Sequence, residues 1–194
     1  MIFGRKQNPD LEKFAELMVR GVTDLFQERG NIAFSSRPVL EKQEIIEYEG
    51  RMRVDGMDKF DNEPTYVSAI NYYINSKAME KHDAVGAVVV YVKQEYLAGI
   101  MKKLQYPPFD DDSDDELRDS CGTLCNIIAG RVKSEFVKAG YIELEMSHFI
   151  NFRNSAFDGV EFCSSEYDKY EAMFELDGKK KLVVELSLGI IPKG

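Results

Sequence analysis

The chain has 194 residues, of which 44% are hydrophobic and 30% are charged, with a formal net charge of −9. This balance excludes a disordered chain and is typical of one folded domain. The excess of acid argues against nucleic acid and anionic membranes as partners, because both are polyanions that attract Lys and Arg. No apolar run approaches the roughly 20 residues of a membrane-spanning helix, and the opening segment MIFGRKQNPD lacks the apolar core of a signal peptide. We therefore expect a cytoplasmic protein that binds other proteins.

A helix is predicted first, starting after Asn8, with Pro9 in its first turn, and ending near Gly30. Asn8 is a candidate N-cap, and Pro9 suits the first turn of a helix. Apolar residues at helical spacing predict that one face of this helix lies in the core: Leu11, Phe14, Ala15, Met18, Val22, Leu25 and Phe26.

Three strands are predicted next, at 44–54, 66–74 and 84–92. The first two are rich in β-branched and aromatic residues, and the polar stretch 55–65 between them predicts a turn or an insertion. We expect a single domain, 1–194, with an insertion around 50–80. The third strand, AVGAVVVYV, is apolar on both alternating faces, which predicts a central strand of the sheet.

Two helices follow that strand, separated by an exposed acidic loop. The first carries Leu97, Ile100, Met101 and Leu104 at helical spacing, and the loop YPPFDDDSDD breaks it. The second is long, about 114–139, with a capping box at Ser113 and Glu116. Its predicted core face consists of Leu117, Cys121, Leu124, Ile128 and Val132.

The last third of the chain is strand-like, with Asp177-Gly178 as a hairpin turn. Strand-rich ends such as KLVVELSLGII expose backbone groups unless these are paired, so we expect self-association. The order of elements predicts an α/β (α+β) fold, in which a largely antiparallel sheet carries the long helices on one face.

The histidines and cysteines do not form a pattern typical of a metal or catalytic site. Cys121 and Cys125 lie four residues apart on the long helix and are interpreted as buried core residues. His82 lies in a polar stretch and is predicted to be exposed, and His148 is predicted on a strand surface. The chain also lacks the phosphate-binding, dinucleotide-binding and GxSxG motifs of common enzyme classes.

The outward face of the long helix carries the candidate functional residues. Asn126 lies about 200° around the helix from Leu124 and from Ile128, so it points away from the core face. Five further residues are predicted to surround it on this face: Asp119, Gly122, Thr123, Gly130 and Lys133.

Gly122 and Gly130 lie one turn before and one turn after Asn126. A glycine inside a helix costs about 1 kcal/mol of helix stability relative to alanine. We therefore expect the absence of a side chain at these two positions to serve a structural or functional purpose. One interpretation is that the amide of Asn126 rises above a shallow surface that another polypeptide can approach. The alternative is a glycine-lined seam where another helix of the same chain packs, and spacing leaves both open.

The segment 113–140 resembles the motif helix of the CheC/CheX/FliY chemotaxis phosphatases. The family motif is Asp or Ser, three residues, Glu, two residues, Asn, often continuing to Ala-Gly. Here CNIIAG supplies Asn126, and Asp119 stands at the Asp/Ser position. Thr123 stands where the family has Glu, and the downstream proline of the family is missing. The resemblance is firmest over 84–150 and implies a single-domain, CheX-like protein.

In that family the helix docks on a phosphorylated response regulator of the CheY type. The resemblance implies that Asn126 orients a water for attack on the aspartyl phosphate, that no cofactor belongs to the chain itself, and that the partner receiver domain supplies Mg²⁺. It implies a homodimer as well. Thr123 offers a hydroxyl and no charge where the Glu is understood to pair with the regulator's lysine, so the alternative is a non-catalytic binding or scaffold protein of the same fold.

Overall fold

The computed structural model describes residues 6–153 and 159–194. The helices are α1 (Leu11–Gly30), α2 (Ser76–Glu80), α3 (Gln94–Lys103) and α4 (Asp114–Lys138). The strands are β1 (Val39–Glu44), β2 (Glu47–Tyr48), β3 (Arg51–Met52), β4 (Thr65–Tyr73), β5 (Gly86–Lys93), β6 (Glu145–Met146), β7 (Ile150–Arg153), β8 (Asp168–Leu176) and β9 (Lys179–Leu188).

Within the described residues, seven strands form one antiparallel sheet, and β2 and β3 form a separate small hairpin. The order of the main sheet is β1-β8-β9-β5-β4, and both β6 and β7 pair with the outer side of β4. The strand β5 is central and its residues Gly86 to Val92 are buried, as its two apolar faces predict.

Helices α1, α3 and α4 pack on one face of this sheet, which confirms the predicted α+β arrangement. The core between helices and sheet contains large buried side chains from both layers, such as Phe14, Phe136 and Tyr72. Apolar residues of the segment 45–60 cover the opposite face of the sheet: Ile45, Met52, Val54 and Phe60.

A buried group of charges fastens this covering segment to the sheet. The ammonium group of Lys59 bonds to Glu171 and lies 3.1 Å from Glu185 Oε1. Lys169 Nζ lies 2.8 Å from the same Glu185 oxygen, and the Tyr91 hydroxyl donates to the other oxygen at 2.7 Å. The two lysines balance the two carboxylates, so each charge has a partner.

Several sequence-based predictions are wrong in detail. The predicted strand 44–54 contains the last residue of β1 and the two-residue strands β2 and β3, which form a hairpin because Glu49 and Gly50 adopt positive φ in a tight turn. Asn8 is not the N-cap of α1, which begins at Leu11. Its side-chain amide instead donates to the carbonyls of Leu188 and Gly189, at the end of β9.

The capping box of α4 is half formed. The hydroxyl of Ser113 accepts from the backbone N–H of Glu116 at 3.4 Å, as predicted. The carboxylate of Glu116 does not return to Ser113, because it accepts from the N–H of Asp110 at 2.6 Å and so fastens the acidic loop instead.

The hairpin at Asp177-Gly178 is confirmed, with positive φ at both residues. The argument for self-association from KLVVELSLGII is wrong, because β9 lies inside the sheet between β5 and β8. The predicted insertion around 50–80 contains β4, a strand of the main sheet, with residues outside the main sheet before it and α2 after it. In the last third of the chain, which is predicted to be strand-like, residues 154–158 lie outside the described residues.

Candidate functional site

Helix α4 is a long, well-capped element on which the candidate residues lie. Besides the Ser113 cap, three acidic residues occupy its first turn and Lys138 occupies its last, which favours both ends of the helix dipole. Cys121, Leu124 and Ile128 are fully buried against the sheet, as the helical spacing predicts. The opposite face of α4 is therefore fixed towards solvent.

Asn126 is exposed on this outer face, and its side chain makes no hydrogen bond within the described residues. Asp119 is also exposed, and Thr123 is partly exposed. Neither side chain has a hydrogen bond or an ion pair in the described part of the chain. These three polar groups form a row along about two turns of helix, and all of them are available to a ligand or a partner.

The two glycines on either side of Asn126 differ from each other. A Cβ at Gly130 would meet nothing within 4 Å, so the backbone there is open, as predicted. A Cβ at Gly122 would lie 2.4 Å from the ring of Phe149, which covers this glycine. Neither of the two interpretations left open by the sequence holds at Gly122, because the covering group is an aromatic ring just ahead of β7 and not a second helix.

Two hydrogen bonds from beneath hold the turn that carries Asn126. The hydroxyl of Tyr72, on β4, donates to the carbonyl oxygen of Ala129 at 2.7 Å. The thiol of Cys125 donates to the carbonyl oxygen of Ser68, also on β4, at 3.4 Å. Burial raises the pKa of the Tyr72 hydroxyl well above its ordinary value, so this group stays a neutral donor.

The start of α4 is joined to the sheet by a cluster around Asp114. The Tyr66 hydroxyl donates to Asp114 at 2.6 Å, Arg153 lies 2.9 Å from the same oxygen, and Arg118 lies 2.8 Å from the other. The hydrogen bond from Tyr66 holds the pKa of Asp114 below its ordinary value, with burial opposing and both arginines adding to the effect. Strands β4 and β7 and helix α4 meet at this carboxylate.

Both flanks of the outer face carry ion pairs. Lys133, two turns after Asn126, lies 3.1 Å from Glu143 in the segment that follows α4. On the other flank, Arg131 pairs with Glu28 of α1 at 2.6 Å. Lys133 therefore lies about 10 Å from Asn126 along the helix axis, with its charge already paired.

The remaining candidate groups lie away from this face or inside the core. His82 is exposed and its Nδ1 lies 2.9 Å from Glu161, and His148 is exposed between β6 and β7. Cys121 and Cys125 are buried, and burial raises the pKa of the Cys121 thiol to about 12. The three aspartates 110–112 bring exposed carboxylates together, but exposed acidic groups are common without an ion, so we assign no metal site to them.

Sequence reasoning missed an apolar residue beside the site. Phe149 is 37% exposed, and its ring lies on Gly122, one turn before Asn126. The signal in the sequence was an aromatic residue in a segment interpreted only as strand. Helical spacing does not reveal which residue from another element covers a helical glycine.

Neither the protein-family models nor the curated protein sequences contain a match. No helix in the described ranges is long and apolar enough to cross a membrane.

Solved structures do match over most of the chain. A CheC-like superfamily protein from Shewanella sp. PV-4 is 17% identical, with 93% of this chain and 97% of that chain covered and a TM-score of 0.55. FliY from Thermotoga maritima is 12% identical, with coverage of 97% and 92% and a TM-score of 0.57. CheX in a CheX–CheY–BeF3–Mg complex from Borrelia burgdorferi is 11% identical, with coverage of 91% and 98% and a TM-score of 0.52. The chain therefore has the CheC/CheX/FliY-type fold.

Proposed function

We propose that this chain binds a phosphorylated receiver domain of the CheY type through the outer face of α4, and that Asn126 promotes hydrolysis of the aspartyl phosphate. The observation that carries the proposal is the exposed amide of Asn126, at the position of the motif Asn, which makes no hydrogen bond to any described residue. A protein of the same fold was solved in complex with CheY, BeF3 and Mg. Both support a receiver domain as the partner.

An amide suits the proposed chemistry. It donates and accepts hydrogen bonds at once, so it orients a water for in-line attack without adding charge beside the phosphoryl group. The receiver domain would supply Mg²⁺ and the aspartyl phosphate, and this chain would position the attacking water. The two hydrogen bonds beneath the Asn126 turn support this role, because orienting a water requires a rigidly held group.

Thr123 favours a second candidate, a non-catalytic binding or scaffold protein. At the position of the motif Glu, Thr123 places a hydroxyl and no carboxylate. A charge-assisted hydrogen bond is roughly twice as strong as a neutral one, so a contact to a lysine of the receiver would be weakened. Asp119 is an exposed carboxylate on the same face with no ion pair in the described residues, about 6 Å before Thr123 along the helix axis at 1.5 Å per residue.

The test is loss of phosphate from phosphorylated CheY-type receivers of the same organism, in the presence of Mg²⁺. We expect the protein to accelerate this loss and Asn126→Ala to abolish the acceleration, while Ser134→Ala, on the same exposed face, retains it. If the second candidate is correct, the native protein binds the receivers without acceleration, and Thr123→Glu does not restore turnover. A gain of turnover in Thr123→Glu would instead identify a weakened phosphatase.

We also propose a homodimer, acting in the cytoplasm where such receivers are found. The free edges of the sheet in the described residues are β1 on one side and the β6 and β7 side on the other. A row of unpaired backbone groups is available for pairing at such edges. Light scattering at several protein concentrations tests the dimer, and a monomer at all of them would reject it.

A further inference from the structure

Beside the polar row of α4 lies a small apolar surface that the family motif does not include. We define the Phe149 shoulder as the exposed part of Phe149, which is 37% exposed. The next residue, Ile150, begins β7 and pairs with Ala69 of the adjacent strand β4, and its side chain lies on the opposite face of the sheet. The backbone of the shoulder is thus fixed by the sheet.

The shoulder is held directly against the helix that carries Asn126. The Cβ of any residue other than glycine at 122 would lie 2.4 Å from the Phe149 ring, so the ring rests on bare helix backbone. Residues 122 and 126 are four positions apart, which is about 6 Å along the helix axis. The Phe149 ring is therefore a close neighbour of the Asn126 amide on the surface.

Any protein that reaches Asn126 must cover this ring. A specific interface buries about 800 Å² on each partner, which corresponds to a disc of about 16 Å radius. Centred on Asn126, such a disc includes the whole Phe149 shoulder. Val137, which is 43% exposed on the same face of α4, lies about 16 Å from Asn126 along the axis and falls at the rim.

We propose that the Phe149 shoulder is the apolar anchor for the receiver domain that docks at Asn126, and this inference rests on the proposed function. The partner is then a phosphorylated receiver that presents an apolar side chain beside its phosphorylation pocket. Exposed aromatic residues near the centre of an interface dominate binding, whereas residues at the rim contribute little. The polar row holds the phosphorylated site, and the shoulder supplies contact area that carries no charge.

The test is the affinity for a CheY-type receiver activated with Mg²⁺ and BeF3⁻. We expect Phe149→Ser to weaken binding about 10-fold or more, and Val137→Ser, an equally exposed apolar residue on the same helix face, to change it less than about 3-fold. Gly122→Ala provides a second variant that keeps every apolar side chain. It displaces the ring from the helix and is also expected to weaken binding, even if Phe149→Ser fails to fold.

The outcomes separate this inference from the proposed function. If native protein binds the activated receiver and both Phe149→Ser and Gly122→Ala bind equally well, the inference is wrong and the proposed function stands. If Phe149→Ser changes the oligomeric state by light scattering and leaves receiver affinity intact, a second copy of the chain covers the shoulder and the inference is again wrong. If native protein binds no receiver, both fail.

Discussion

The hydroxyl of Tyr72 donates a 2.7 Å hydrogen bond to the carbonyl oxygen of Ala129, beneath the helical turn that carries Asn126. The donor lies on β4 and the acceptor in the middle of α4, so this bond joins the sheet to the helix at the candidate site. Together with the hydrogen bond from Cys125 to Ser68, it fixes the distance of this turn from the sheet and the rotation of the helix about its own axis. The exposed amide is thereby supported by the core of the domain.

Removing this hydroxyl is expected to destabilise the domain. Tyr72→Phe deletes one buried hydrogen bond and leaves the ring in place, so the free energy of unfolding should fall by about 1 kcal/mol. Urea denaturation measures the change. Tyr48→Phe is the control, because Tyr48 is 66% exposed. Its free energy of unfolding should fall by less than about 0.5 kcal/mol. Equal losses in the two variants would show that the bond to Ala129 adds no stability.

The two glycines of α4 should respond oppositely to alanine. Gly130→Ala should raise the free energy of unfolding by about 0.5–1 kcal/mol, because nothing lies within 4 Å of the new Cβ and alanine favours helix. Gly122→Ala should not stabilise, because its Cβ displaces the Phe149 ring. In a Phe149→Ala background, Gly122→Ala should stabilise as Gly130→Ala does. Stabilisation by Gly122→Ala alone would mean that the ring does not rest on the helix.

Lys59 should be one of the most sensitive charged residues. Lys59→Met leaves Glu171 and Glu185 with one lysine fewer in a buried position, which should cost about 3–5 kcal/mol. Chemical denaturation measures this loss. Lys103→Met is the control, because the ion pair of Lys103 with Asp177 is exposed and should contribute less than about 1 kcal/mol. If Lys59→Met loses no more free energy of unfolding than Lys103→Met, the buried charges do not stabilise the packing of the covering segment on the sheet.

Asp114 should make stability depend on pH. Its pKa is held below the ordinary value by Tyr66, with Arg118 and Arg153 adding, so its ionised form favours the folded state. The resulting stability is present above the ordinary Asp pKa of about 4 and is lost as pH falls through the lower, folded-state value. Asp114→Asn should therefore be less stable than native protein at pH 7, by about 1 kcal/mol.

Denaturation curves from pH 7 to pH 3 test this dependence, because the difference between Asp114→Asn and native protein should shrink as pH falls. Asp115→Asn is the matched control, since it removes a carboxylate from the same first turn that has no ion pair within the described residues. A difference at Asp114 that stays constant across this range would contradict the assigned role of its charge.

Periodicity predicted the elements that are both long and regular. The core face of α4, the central strand β5 and the Asp177-Gly178 turn follow directly from spacing and turn chemistry, and the outward direction of Asn126 follows from the helical repeat. Short irregular elements were harder to predict. Between residues 141 and 153 only two brief strands form, with residues 147–149 between them and the Phe149 ring on α4.

The features that the sequence did not predict come mostly from contacts between distant parts of the chain. The covering of Gly122 by Phe149, the tie from Asn8 to the end of β9, and the burial of Lys59 all join residues far apart in sequence. No local pattern encodes such pairs. The Glu49-Gly50 turn is a different case, because a glycine between two strand-like halves is a turn signal that predicts a break in the segment 44–54.

The most direct test of the central claim is the affinity of native protein and of Gly130→Arg for a receiver of the CheY type activated with Mg²⁺ and BeF3⁻. An arginine at Gly130 meets nothing within 4 Å of its Cβ, so the fold accommodates it while the outer face of α4 is blocked. Gly99→Arg is the matched control, because Gly99 of α3 is a helical glycine that is equally open. The account predicts that native protein and Gly99→Arg bind the activated receiver and that Gly130→Arg binds it at least about 10-fold more weakly. Equal binding by Gly130→Arg would contradict docking on this face.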